Sequence, residues 1–229
     1  MGVAQDHLKT TAILPVKRLE TAHGRLAEKV PAEARRRLAE AMFMDTLGKM
    51  RRSRRLDQTL VVTADPAVAR HVRWMGHSVL LQREDVGHSE AAVAGATAAV
   101  AEGAERVAML PVDCPMLDVG ELDDRLGQTP RAALIVPDRH GSGTNALVLS
   151  PPDAFPPAFG PDSCARHVSR ARSAGISFAL EQIDSLAVDL DTPEDMVELR
   201  HALLLDPDPA PRTAKLLWEL GREEAKAAA

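Results

Sequence analysis

Short apolar runs alternate with longer helical patterns along almost the whole chain, and polar residues stand just past the end of nearly every run. Thr11–Val16, Thr59–Thr63, Ser78–Leu81 and Arg106–Val112 read as strands. Between them, Ala32–Met50, Ala67–Trp74 and Ser89–Ala101 carry helical spacing, the last stopped by Gly103. Further on, a helix is expected over Val119–Leu126, and strands over Ala132–Val136 and Ala146–Leu149. A helix over Asp162–Ala174, strands at Ile176–Leu180 and Leu186–Val188, and a helix over Pro193–Leu205 follow. The segment Ala210–Ala229 reads as an exposed amphipathic helix after the Pro-rich stretch Asp206–Pro211. Strands separated by helices are joined by right-handed crossovers. The expected fold class is therefore α/β: one domain, a mostly parallel sheet, and helices on both faces. Ligands of such sheets bind beyond the carboxyl ends of the strands, so the residues just after each strand are the informative ones.

Composition narrows the function classes. The chain has 229 residues, and 28 Lys+Arg against 33 Asp+Glu leave a formal charge of −5. With 3% aromatics and no Tyr, a nucleic-acid partner is not expected, since that calls for a basic stripe or a stacking platform. No apolar run reaches the ~20 residues of a membrane span, and no signal peptide is visible, so no membrane partner and a cytoplasmic location are expected. The two cysteines, Cys114 and Cys164, are too few for a disulfide framework or a four-thiolate zinc site.

Three strand ends carry candidate chemistry. Past the first strand stand Lys17, Arg18 and Arg25, a cationic loop suited to a polyphosphate, although the P-loop spacing is absent. Past the fourth strand stands Asp113, placed to present a carboxylate to the crevice, while Asp118 is the better cap for the next helix. In Val188-Asp189-Leu190-Asp191, residues i and i+2 of extended chain face one side, so Asp189 and Asp191 can share a cation. Thr192, Pro193 and Asp195 form a capping-box pattern that leaves the Asp pair free, and Mg²⁺ is the natural partner of hard oxygen ligands beside phosphates. Two glycine loops lie between. The amides of Asp138–Asn145 could face an anion, and Phe159-Gly160-Pro161-Asp162-Ser163 leads into a helix N-terminus whose free amides suit phosphate.

Together these pieces resemble the 2-phospho-L-lactate and phosphoenolpyruvate guanylyltransferases of deazaflavin (coenzyme F-420) cofactor biosynthesis. The resemblance runs from about Ala12 to Leu203. It rests on Pro15-Val-Lys-Arg18 with Arg25-Leu26-Ala27, on Asp113-Cys-Pro, and on Gly141-Ser-Gly-Thr144. Phe159-Gly-Pro-Asp-Ser163-Cys-Ala-Arg166-His167 and Val188-Asp-Leu-Asp-Thr-Pro193 complete it. It implies a glycosyltransferase-A-like nucleotidyltransferase domain over 1–205, with 206–229 as linker and C-terminal helix. It also implies an Mg²⁺-dependent transfer of GMP from GTP to a small phosphorylated carboxylic acid, such as phosphoenolpyruvate, 2-phospho-L-lactate or 3-phosphoglycerate.

On that resemblance Asp113, Asp189 and Asp191 hold Mg²⁺, and Thr144, Gly160 and Ser163 contact the acceptor's phosphate. Pro15, Val16, Lys17 and Arg25 form the nucleotide side, with Lys17 and Arg25 as the catalytic cations. The chain departs from the family pattern at His23-Gly24, where a Lys and a Ser or Thr are usual, and at Glu90, where an Asn is usual. Both departures lie on the nucleotide side. They keep two alternatives open, a related transferase with another nucleotide or acceptor and a non-catalytic nucleotide-binding relative. Members of that family often self-associate, and Ala210–Ala229 offers a face either to a second copy in a homodimer or to solvent.

Overall fold

A computed structural model describes residues 7–128 and 132–227. The termini of the expected segments 1–205 and 206–229, residues 1–6 and 228–229, lie outside the described residues. Seven strands form one sheet in the order β3-β2-β1-β4-β6-β5-β7. They are β1 (Thr10–Val16), β2 (Gln58–Thr63), β3 (Ser78–Leu81), β4 (Arg106–Met109), β5 (Ala133–Pro137), β6 (Thr144–Leu149) and β7 (Phe178–Leu180). The pairings β1–β2, β1–β4, β2–β3 and β5–β7 are parallel, whereas β6 runs antiparallel to both β4 and β5. The helices are α1 (Ala32–Met50), α2 (Pro66–Trp74), α3 (His88–Ala101), α4 (Val119–Gln128), α5 (Ser163–Ser173), α6 (Pro193–Leu205) and α7 (Pro211–Ala227).

Strand periodicity divides the core. On β1, Ala12, Leu14 and Val16 pack with Phe43 and Leu47 of α1, Val68 and Val72 of α2, and Leu122 and Leu126 of α4. Ile13 points the other way and packs with the alanines of α3 and with Cys164 and Ala171 of α5. That is the alternation expected of a strand buried on both faces. The small side chains of α3 let it lie close on the sheet. A Cβ at Gly95 would stand 2.6 Å from Ile13 Cγ2 and 2.9 Å from Val62 Cγ2.

Local signals set the helix starts. Asp65 caps α2, accepting from the N–H groups of Ala67 at 2.8 Å and Val68 at 3.3 Å, and Pro66 takes the first helical position. Asp118 accepts from Gly120 N at 2.7 Å at the start of α4. Thr192 and Asp195 complete the capping box of α6.

Two expectations fail here. The segment Leu186–Val188 is not a strand. It follows a 3₁₀ turn (Asp184–Leu186), and the Leu186 carbonyl is taken by side chains, from Asn145 Nδ2 at 2.6 Å and Cys114 Sγ at 3.7 Å, instead of by a ladder. Nor is the C-terminal helix simply exposed. Leu216, Leu217 and Leu220 are buried with Leu38 and Met42 of α1 and Leu199 and Leu203 of α6. Its first turn is pinned by Asp45 of α1, whose buried carboxylate accepts from Thr213 N and Thr213 Oγ1, both at 2.9 Å, and from Arg212 N at 3.3 Å. Among the described residues no helix is long and apolar enough to cross a membrane.

Removing the Asp45 carboxylate leaves the buried Thr213 donors without a partner. Asp45→Ala is expected to lower the unfolding free energy by about 1–3 kcal/mol. An unchanged urea midpoint would show that the anchor contributes nothing.

Candidate functional site

The site forms where the carboxyl ends of β1 and β4 meet the start of β6, which runs the opposite way and so brings its first residues to the same edge. Beyond β4, the loop carrying Asp113 is fastened from below by Lys49 of α1, whose Nζ donates to the Pro115 carbonyl at 2.5 Å. Burial pushes the Lys49 pKa down to about 8.

The segment 186–191 is clamped against this loop from several sides. Asn145 and Cys114 hold the Leu186 carbonyl. Leu190 N donates to the Asp113 carbonyl at 3.0 Å. His23 Nδ1 donates to the Leu190 carbonyl at 2.9 Å, from a residue in the left-handed region with φ 51°. Leu190 itself is fully buried and acts as the peg of the segment.

This clamp crowds three carboxylates. Burial, and then the charges of Asp189 and Asp191, raise the Asp113 pKa to about 7. Burial likewise raises Asp189, with Asp191, Asp195 and Asp138 adding to it. Lys17 pulls Asp113 the other way. Arg25 Nη1 donates to Asp191 Oδ2 at 2.8 Å, so Asp191 is not the free ligand that the sequence suggested. Among the described residues, no three His, Cys, Asp or Glu side chains converge into a ready metal shell. A cluster of hard, mutually repelling oxygens in a partly dry crevice is nevertheless the donor chemistry that suits a divalent cation.

Beside Asp113 and Asp191 lies a cleft of about 160 Å³, lined also by Pro15, Val16, Lys17, His23 and Phe43. His88, at the first turn of α3, also lines it and packs edge-on against Phe159 with ring centroids 4.6 Å apart. Burial, with Lys17 assisting, lowers the His88 pKa to about 4. Ser89 Oγ accepts from Phe159 N at 2.9 Å, which ties the cationic side of the cleft to the glycine loops.

The glycine loops behave differently from expectation. Asp138 folds over its own loop and accepts from His140 N at 3.1 Å, Ser142 N at 3.0 Å and Gly143 N at 2.9 Å. Those amides face a carboxylate of the same chain, not an outside anion. At the start of α5 the Ser163 amide donates to Gly160 and the Cys164 amide to Ser142, each at 3.1 Å, so these two are also engaged. Side-chain hydroxyls add to what a ligand would find here. The Ser163 hydroxyl has no protein partner among the described residues, and the Thr144 hydroxyl touches only His167 Nδ1, at 3.0 Å. Arg166 holds the turn in shape, donating to the carbonyls of Ala158, Phe159 and Pro161. Gly160, at φ 104°, makes the bend that a side chain would strain.

The structure thus brings Asp113, Asp189 and Asp191 together with Pro15, Val16, Lys17 and Arg25. It places Thr144, Gly160 and Ser163 on the adjoining wall. Sequence reasoning missed the parts played by His23, His88, Asp138 and His167. Only Asp138 left a sequence signal, an Asp ahead of a Gly-rich turn, which favours side-chain bonds to following amides. Cys114 and Cys164 stay protonated, since burial raises both thiols and nearby aspartates raise them further.

A family model described as guanylyl transferase CofC-like matches residues 10–202. A phosphoenolpyruvate guanylyltransferase from Conexibacter woesei is 44% identical over 223 residues, covering 96% of this chain and 100% of that protein. A 2-phospho-L-lactate guanylyltransferase from Methanothermobacter thermautotrophicus is 31% identical over 192 residues, covering 84% of each. A solved structure from Desulfovibrio desulfuricans, described as a nucleotide-diphospho-sugar transferase, superposes with a TM-score of 0.75 at 18% identity. It covers 92% of this chain and 94% of that one, a likeness of fold.

Asp113 sets a pH dependence. Its folded-state pKa of about 7 lies above the ordinary 3.8, so the folded state holds the proton more tightly. That stability is present below about pH 4 and is lost as pH rises through 7. Asp113→Asn removes the loss, and the histidines cancel in the comparison. In chelated buffer the variant is expected to gain on wild type by about 2–4 kcal/mol between pH 4 and pH 8. Parallel stability profiles for the two proteins would refute the crowding.

Proposed function

The chain belongs to the guanylyl transferase CofC-like family, and on that premise we propose that it joins GMP from GTP to a small phosphorylated carboxylic acid, releasing diphosphate, in deazaflavin cofactor biosynthesis. The observation that carries this reading is that Asp113 and Asp191, far apart in the chain, line one cleft with Lys17, while the Asp189 charge acts on Asp113 and Arg25 pairs with Asp191.

The acceptor's phosphate is an anion at neutral pH, so the reaction needs no general base. The difficulty is holding two anions together while charge builds on the leaving diphosphate. Lys17 and Arg25 stand at the mouth of the cleft, where exposed cations offset that charge. Arg25 is paired with Asp191 and exchanges that partner for the nucleotide's phosphates. The hydroxyls of Thr144 and Ser163 bind the acceptor's phosphate on the adjoining wall, at the turn that Arg166 and Gly160 shape. The floor of Pro15, Val16 and Phe43 excludes water from the nucleotide side. Asp113, Asp189 and Asp191 would hold Mg²⁺, which supplies the positive charge that draws both phosphates in and relieves the carboxylates of their mutual repulsion.

His23 and His88 line the cleft where the nucleotide is expected. They are the reason to test other bases as well. Purified protein is to be given GTP, CTP, ATP or UTP with phosphoenolpyruvate, 2-phospho-L-lactate or 3-phosphoglycerate, and diphosphate release followed. GTP with one of these acids is expected to be preferred. Release with CTP alone would move the protein to a sister specificity, and Mg²⁺–GTP binding without release would make it a non-catalytic relative.

Asp113→Asn and Asp191→Asn are each expected to lower turnover at least a hundredfold without unfolding the protein, and EDTA to do the same to wild type. Near-normal rates in either folded variant with Mg²⁺ present would refute the metal assignment.

A further inference from the structure

His167 is fully buried at the heart of the acid-side wall, and the transfer reaction gives it no task. Both of its ring nitrogens are engaged. Nε2 lies 2.8 Å from Ala158 N, and Nδ1 lies 3.0 Å from Thr144 Oγ1. A backbone N–H can only donate, so Nε2 accepts and carries no proton. The single proton of a neutral imidazole then sits on Nδ1 and is donated to the Thr144 oxygen. Burial, followed by the nearby Arg170 and Arg166, pushes the ring's pKa down to about 4, so the ring is neutral at ordinary pH. Phe155 and Phe159 flank it, with centroids at 6.4 Å and 5.2 Å, and keep it from turning over.

The consequence falls on Thr144. With His167 donating to its oxygen, the hydroxyl cannot return its own hydrogen to the ring. Among the described residues it has no other partner. We infer that His167 is a positioning residue that fixes the Thr144 hydroxyl as a donor into the crevice between Gly141–Thr144 and Gly160–Ser163, where a phosphate oxygen is the matching acceptor. The identity of that phosphate as the acceptor acid's rests on the transferase reading. The same imidazole holds Ala158 N, so one side chain sets both the direction of the hydroxyl and the distance between the two walls. An Nε2-protonated ring would clash with the Ala158 donor, and an imidazolium would lose that bond.

The test uses the full chain with Mg²⁺, GTP and phosphoenolpyruvate. His167→Met keeps a weak acceptor for Ala158 N in its thioether sulfur and has no donor to aim at Thr144. The expected result is a KM for the acid raised at least tenfold, with the KM for GTP within twofold of wild type. In a Thr144→Val background the same change should raise the acid's KM less than twofold further, because no hydroxyl is left to aim. An unchanged acid KM in folded His167→Met overturns the inference, as do effects that multiply in the double variant. Nitrogen-15 NMR of the wild type at pH 7 needs no variant to fold. It should show His167 protonated on Nδ1 alone, and any other state overturns the inference. A wild type with that tautomer and no diphosphate release would count against the transferase reading alone. Inorganic phosphate then probes the same crevice. A shift of the His167 nitrogen resonances that Thr144→Val abolishes supports the inference, and no shift overturns it.

Discussion

The backbone hydrogen bond from Leu190 to Asp113 joins two stretches far apart in the chain, and the site depends on it. Without it, Asp189 and Asp191 belong to an ordinary connection into α6, and Asp113 to the end of a strand. With it, three carboxyl groups share a partly dry crevice, and Asp113 and Asp189 hold their protons more tightly than usual. The surroundings resist that repulsion. Lys49 braces the loop from the α1 side, Asn145 and Cys114 grip Leu186, His23 grips Leu190, and Arg25 neutralises Asp191. A dense net of bonds to backbone carbonyls is what a fold requires if it is to keep like charges together before any ligand arrives.

The direction of β6 explains the second half of the site. In a fully parallel sheet only the residues after each strand reach the ligand edge. Because β6 lies antiparallel between β4 and β5, its first residues, Thr144 and Asn145, arrive there instead. One serves the acid-side wall and the other the clamp on Leu186. Arg139 crosses from the same loop to Asp195 and Glu198 of α6, so the loop and the helix behind the Asp pair are fixed to each other.

Much of this was legible in the sequence because it is local. Helix starts at Asp118 and Thr192 follow from capping chemistry within a few residues. Apolar runs such as Thr59–Thr63 mark buried strands, and a carboxylate just past a strand marks Asp113. What was not legible depends on which distant group meets a given amide or charge. The amides of 140–143 looked free until the fold showed Asp138 turned back on them. Asp191 looked free until the 3₁₀ turn Gly24–Leu26 placed Arg25 beside it. Leu186–Val188 has strand-like composition, yet side chains take the bonds that a ladder would use. The tail looked solvated because the apolar stripe it covers, Leu38 and Met42, lies on a helix that sequence alone pairs with the sheet.

The inward turn of Asp138 also settles why its loop needs a glycine near the end. Gly143 is not in the left-handed region, so backbone freedom is not the reason for it. A Cβ at that position would sit 2.5 Å from Asp138 Oδ2. Even alanine would therefore push the carboxylate aside and disturb its bonds to the amides of His140 and Ser142. The smallest residue stands there to make room for its neighbour's charge.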